Sequence, residues 1–403
     1  AYLLERLSQT LERLETLMAI FVSNRYLPRR ILLLTGCFAR AAAERHSISR
    51  LWKQSSGLMA RSVTQNAGDH GEHYITRDKK EYWAMFYSAA GGGVLIALMA
   101  LFKTYLGSII DDKVWKGIAE GLNYGLGFMV IFMLHFTVAT KQPAMTAARF
   151  AEAVEKTPQG KSVNMKLAQL LVDVFRSQSI AVLGNVLIAM GLAALIAFGY
   201  QYKTGEPLMN ADQIAYQLHS IDPFAGTLWF AAIAGVWLFC SGIISGYFDN
   251  RSNYLNMRMR LTQHPLLKKL MSEKTRVKFA NYMHENYGSL IGNLCFGMLL
   301  GITGVVGYLT HLPLDIRHVA FSSANVGYIA VSGHFTYSLL LQCIAFVLLI
   351  GLVNLIVSFS LTLWVALRSL NAEIDSWWPI WYEVCQIVKK RPLSLFLPVQ
   401  LDK

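Results

Sequence analysis

The sequence predicts an all-α, polytopic membrane protein of six transmembrane helices, arranged as three repeated hairpins joined by cytoplasmic helical linkers. Three observations carry that prediction. Two stretches, IAVLGNVLIAMGLAALIAFGY at 180–200 and GSLIGNLCFGMLLGITGVVGY at 288–308, are apolar throughout and read as copies of one element. In the first, Gly184 and Asn185 precede Gly199 and Tyr200 by fifteen positions, and Gly292 and Asn293 precede Gly307 and Tyr308 by the same interval. Each is bracketed by charge and holds about twenty residues, the helical length that crosses a hydrocarbon core of roughly 30 Å. Second, runs free of Asp, Glu, Lys and Arg recur along the chain. Third, 54% hydrophobic against 15% charged residues over 403 positions is too apolar for an ordinary soluble protein.

The chain starts on an amphipathic pattern. Leu-Glu-Arg-Leu occurs at Leu4 to Leu7 and again at Leu11 to Leu14, a heptad interval that puts Leu4, Leu7, Leu11, Leu14 and Met18 on one helical face. Residues 1–21 therefore form a helix that expects a partner helix. With Ala1 inside this pattern, and neither Met nor a secretory signal before it, the chain is expected to be a fragment of a longer one.

Arg25, Arg29, Arg30, Arg40, Arg45, Arg50, Lys53 and Arg61 follow, with Glu44 as the one acid between them. A cationic helical region of this kind beside a membrane attracts anionic lipid head groups. Nucleic acid is the alternative partner, for which basic charge alone is a weak argument. Next comes a polar loop, QNAGDHGEHYITRDKK at 65–80. Its His70 and His73 supply no further fixed ligands, so no metal site is expected. The five cysteines, Cys37, Cys240, Cys295, Cys343 and Cys385, show no CxxC spacing and suggest neither a disulfide framework nor zinc. No cofactor is implied. The chain thus divides into a basic cytoplasmic helical region (1–80), a membrane domain (81–370) and an interfacial tail (371–403).

The six spans are the charge-free intervals Tyr82 to Phe102, Gly121 to Thr140, Ile180 to Tyr200, Phe224 to Phe248, Gly288 to Tyr308 and Tyr337 to Leu367, giving hairpins 82–140, 180–248 and 288–367. Orientation follows from loop cations. The segments Lys141 to Ser179 and Asp249 to Asn286 carry six and eight basic residues, whereas Gln201 to Asp222 has only Lys203 and Leu309 to Thr336 only Arg317. Both termini are expected in the cytoplasm, with the segments around Asn210 and Ala324 facing outward. Arg149, Arg258 and Arg368 follow the three returning helices at intervals of about 110 residues, matching the spacing of the Gly-Asn pairs.

Within the spans, Gly121 and Gly125, Gly242 and Gly246, and Gly297 and Gly301 are four apart, the spacing at which helix backbones approach closely. Seven polar side chains form the candidate intramembrane site: His135, Asn185, Asn293, Gln342, Asn354, Ser358 and Thr362. The last three of these repeat at i, i+4 and i+8 and share one helical stripe. Such groups must find a hydrogen-bond partner or line a hydrated path. In the tail, Ile374, Trp377, Trp378, Ile380, Trp381 and Val384 precede Lys389, Lys390 and Arg391, the pattern of a helix lying in a lipid interface.

The absences narrow the chemistry. The spans contain no Asp, Glu, Lys or Arg for a proton relay, and GxxxxGK[ST], GxSxG and HExxH are missing. An enzyme is not indicated, and the composition points to a transport, lipid-handling or scaffold bundle.

From its basic N-terminal helices through the repeated Gly-Asn spans to KKRPLSLFLP at 389–398, the chain resembles the bacterial family labelled site-specific recombinase, the gonococcal recombinase-like proteins. That resemblance implies a polytopic protein of the bacterial inner membrane and, by its label, a part in DNA recombination. No catalytic residue carries over with it. None of the ten histidines has Arg three positions on, as the HxxR element of a tyrosine recombinase requires, and the soluble domain of a serine recombinase is not visible.

Overall fold

A computed structural model of the chain describes residues 78–139, 142–155, 161–332, 335–370 and 376–398, together with Ile75, Thr76, Ile374 and six isolated positions before residue 37. The helix expected at 1–21, the cations from Arg25 to Arg61 and the His70–His73 pair lie outside the described residues. Of two compact units, Ala1–Gly57 and Leu58–Lys403, the second holds the architecture that follows.

All described regular structure is helical. In chain order the helices are α1 (Lys79–Ile109), α2 (Lys113–Met133), α3 (Gln142–Glu155), α4 (Lys161–Thr204), α5 (Ala211–Ile221), α6 (Thr227–Tyr254), α7 (Met257–Gln263), α8 (Pro265–Leu270), α9 (Glu273–Thr310), α10 (Val319–Ala330), α11 (Tyr337–Leu370) and α12 (Trp378–Lys390). Five of them, α1, α4, α6, α9 and α11, are long and apolar enough to cross a membrane, the mark of a multi-pass membrane protein. Their outward faces are apolar too. Leu187, Leu195 and Phe198 on α4 and Leu341, Leu348, Leu352 and Ile356 on α11 stand exposed, a surface that hydrocarbon satisfies and water does not.

Local chemistry fixes the helix ends. The Asp78 carboxylate accepts from Glu81 N (2.8 Å) to start α1, and that of Asp112 accepts from Val114 N and Trp115 N (3.0 and 2.9 Å) to start α2. Asn210 and Gln213 form a reciprocal capping box on α5. At the end of α2, His135 takes the left-handed conformation (φ 58°) while Phe136 N donates to Ile131 O (3.0 Å) and His135 N to Phe132 O (2.9 Å). This is a Schellman closure, and it stops the helix at Met133, inside the interval to Thr140 that lacks charge. Freedom from charge tolerates a helix but does not require one; residues 134–139 instead run as a turn and irregular chain.

The helices cross the bundle between two ends, one carrying Asp78, Arg176 and Asp249, the other Asp112, Asn210 and Asp315. α1 pairs with α4, α2 with α9, α9 with α6, α6 with α11, α10 with α4, and α3 with α11. The expected loop from Lys141 to Ser179 is mostly α3 and the opening turns of α4, a single helix of 44 residues. At the Arg176 end, the Arg176 guanidinium donates to Thr76 O (2.6 Å) and pairs with Asp173 (3.0 Å), and Thr76 N donates to Ser177 Oγ (2.8 Å), which anchors the chain entering α1.

The outward segment expected around Ala324 is corrected. Ten of the twelve residues of α10 are buried, and Ala324 is 0% exposed. Twelve residues span only about 18 Å, too short to cross, so α10 enters the bundle and remains inside it. Irregular chain at that depth is tolerated where protein encloses it. A low loop charge marks residues as apolar without saying on which side of the bundle wall they lie.

Candidate polar cavity and its neighbouring apolar groove

Near the Asp112 end, α1, α2, α5, α10 and the strand of irregular chain at 311–318 enclose a half-open cavity of about 460 Å³. Its charges are balanced. Lys103 pairs with Glu120 (3.3 Å) and Arg317 with Asp315 (2.6 Å), while Lys116 and Asp212 also line it. Arg317 further donates from Nε to Ser220 O (2.8 Å) and lies over the Phe230 ring (5.3 Å), so it ties the irregular chain to the end of α5 and to α6. Lys103 sits 5.6 Å above the Tyr124 ring. Below, His318 is buried among Phe128, Phe296 and Phe321, with ring centroids 5.7 to 6.1 Å away, and closes the floor.

A second, larger cleft of about 930 Å³ lies between the ends of α1 and α4. Leu98, Leu101, Phe102, Tyr105, Ile196 and Leu208 give it an apolar lining. The two spaces adjoin, since Thr104, Asn210 and Gln213 belong to both. A polar chamber and an apolar groove are thus neighbours, with three residues common to their walls.

The seven polar residues expected to form an intramembrane site do not line this cavity. Asn185, Asn293, Asn354, Ser358 and Thr362 are buried, while His135 and Gln342 are exposed. The Asn185 amide donates to Ala89 O and Thr137 O and accepts from Ala139 N (2.8 Å); that of Asn354 donates to Ala231 O (2.7 Å) and Arg317 O (3.0 Å) and accepts from Val319 N (3.2 Å). Asn293 donates to Ser289 O (2.8 Å), and Thr362 to Ser358 O (2.9 Å). The Asn185 and Asn354 amides thus bind helices and irregular chain together, while the bonds of Asn293 and Thr362 stay within their own helices. In the sequence alone Lys103, Lys116 and Arg317 count as loop cations, so the cavity is not legible there. The one available signal was that a segment with a single cation, Arg317, also held His318 beside an apolar run.

A family model described as site-specific recombinase matches residues 1–398. The chain belongs to the site-specific recombinase family. No curated protein and no solved structure matches it. No group of three or more His, Cys, Asp or Glu placed to hold a metal occurs among the described residues of this family member.

Proposed function

We propose that this member of the site-specific recombinase family is a non-enzymatic bundle of the bacterial inner membrane that binds a phospholipid. The polar head group enters the balanced chamber and one acyl chain follows the apolar groove. The single observation behind this reading is that chamber and groove share Thr104, Asn210 and Gln213. Three cations and three carboxylates around one chamber suit a head group that bears both signs. Lys103 and Lys116 would face the phosphate, and Asp212 the ammonium.

In this reading α2 completes six crossings, both ends of the chain are cytoplasmic, and the Asp112 end of the bundle faces outward. The basic residues from Arg25 to Arg61 rest on anionic lipid, and residues 1–21 take a partner helix. The test is binding of spin-labelled phosphatidylethanolamine to the purified protein in nanodiscs. Lys116→Glu and Leu98→Trp should each weaken it by about tenfold, the equivalent of one charge-assisted contact or a blocked groove. Equal binding by both variants and the parent would reject the site.

A second reading, a membrane-tethered DNA-binding protein in site-specific recombination, is favoured by the family description. Its test is strand exchange on a plasmid by the purified protein in detergent. A covalent DNA intermediate on a residue of this chain would establish it, and its absence would leave the lipid reading.

A further inference from the structure

We infer that the membrane unit is an inverted repeat of two halves, and that its cavity opens alternately at the two ends of the bundle. This rests on the proposal that the cavity holds a ligand. The first half is α1 to α4 and the second is α6 and α9 to α11. Three independent registers agree.

The first register is the pair of asparagine clamps. Asn185 and Asn354 each donate to an alanine carbonyl, Ala89 on α1 or Ala231 on α6, and to a carbonyl in the irregular chain, Thr137 or Arg317. Each then accepts from the amide two residues further on, Ala139 or Val319. The second lies one turn along. Gly93 and Gly235 stand four residues after those alanines, and each packs on the clamp asparagine's carbonyl and on the side chain three residues beyond it, Ile188 or Val357. The third joins α2 and α9: Gly121, Gly125 and His135 repeat as Gly297, Gly301 and His311 with no gap, and both histidines are left-handed (φ 58° and 55°).

The packing obeys the same operation. Gly297 meets Gly125 and Gly301 meets Gly121, so an approximate two-fold axis passes between α2 and α9. The third element of each half packs on the fourth element of the other, α10 on α4 and α3 on α11. α1 runs from the Asp78 end and α6 toward it, so the halves are inverted. Against the three-hairpin expectation, the counterpart of Asn185 is Asn354, not Asn293.

α5, which supplies one wall of the open cavity, lies outside the repeat; the two-fold axis carries the part formed by α1, α2, α10 and residues 315–318 onto a place bounded by α6, α9, α3 and residues 135–138 at the opposite end. There the helices are closed: a Cβ at Gly288 would meet Asp249 and Ser245 O, and one at Gly292 would meet Ser245. The same registers put Lys103 and Lys116 where the closed end has Ser245 and Gly292, and exchange of the two states closes the Asp112 end over these two cations while opening the Asp249 end. This is how inverted repeats expose one site to two faces. The resulting activity is transfer of the bound molecule across the membrane.

The experiment uses the full chain in nanodiscs, its five native cysteines replaced by serine, with spin labels at exposed sites. One pair, Lys113→Cys with Ala215→Cys, spans the open end; the other, His135→Cys with Asn253→Cys, spans the closed end. Electron–electron resonance is recorded with and without added short-chain phosphatidylethanolamine. Two populations at each end, one end lengthening as the other shortens, are expected with or without lipid. A single unchanging distance at both ends overturns the inference even if the lipid binds. Reciprocal distances in a protein that fails to bind spin-labelled phosphatidylethanolamine would instead keep the alternation and reject phospholipid as the ligand.

Discussion

Gly297 of α9 lies against the backbone of Gly125 of α2, so close that a Cβ on Gly297 would overlap the Gly125 amide nitrogen and Cα. Lipid supplies no hydrophobic drive between helices, so this contact of small residues holds the pair by packing. Gly297→Leu should force α2 and α9 apart and destabilise the bundle by about 1–3 kcal/mol or more, as overpacking does. Thermal unfolding in detergent measures it. Gly191→Leu, at a position with nothing within 4 Å, is the matched control and should leave the midpoint unchanged.

Asn354 is 0% exposed and satisfies three backbone groups at once. Asn354→Leu strands Val319 N and Arg317 O, each costing roughly 1–3 kcal/mol where water does not reach, while Ala231 O keeps its bond inside α6. The midpoint should fall well below that of Gln342→Leu, made at an exposed site on the same helix. Equal midpoints would mean that the clamp carries no stability.

Arg176 is 4% exposed and holds Thr76. Replacing it by Ala leaves Asp173 without its cation; removal of one partner from a buried pair costs about 3–5 kcal/mol, and less here because the Asp173 side chain is 21% exposed. Hydrogen exchange at the Thr76 amide should accelerate. The double variant with Asp173→Ala should recover part of the lost stability, because no unpaired carboxylate remains.

Three single cysteines, each in a chain whose five native cysteines are replaced by serine, test the orientation and the enclosed helix in inverted and right-side-out vesicles. Asn210→Cys, exposed before α5, should react with a membrane-impermeant maleimide from outside, and Lys269→Cys on α8 only from inside. Ala324→Cys should react from neither. Reaction of Lys269→Cys from outside would invert the assignment.

In α12, Ile380 is buried against α3, α4 and α11 while Trp378 and Trp381 are 78% and 52% exposed. Trp377 stacks on Phe150 (6.0 Å, 10°). Brominated lipid should therefore quench Trp378 and Trp381 and spare Trp377. If Trp378→Phe and Trp381→Phe leave the quenching unchanged, the helix does not lie in the interface.

The sequence alone determined the helical class and the long apolar helices, because twenty apolar residues without charge have one stable form in hydrocarbon and that form is local. It also announced the small-residue contacts, since spacing of four is a property of a single helix: Gly121 and Gly125 do meet Gly297 and Gly301. Tertiary structure decided what the polar residues do. Asn185 and Asn293 are alike in sequence, yet Asn185 clamps three backbone groups of other segments and Asn293 donates to a carbonyl of its own helix, because a side-chain amide takes its role from whichever backbone groups lie beside it. The cavity, too, joins Lys103, Glu120, Asp212 and Arg317 from four segments, and only the path of the chain around α10 brings them together. Hydrophobicity and periodicity act over one or two turns of helix; the enclosure of a short helix and the two-fold pairing of distant halves arise from contacts more than a hundred residues apart, which no local pattern encodes.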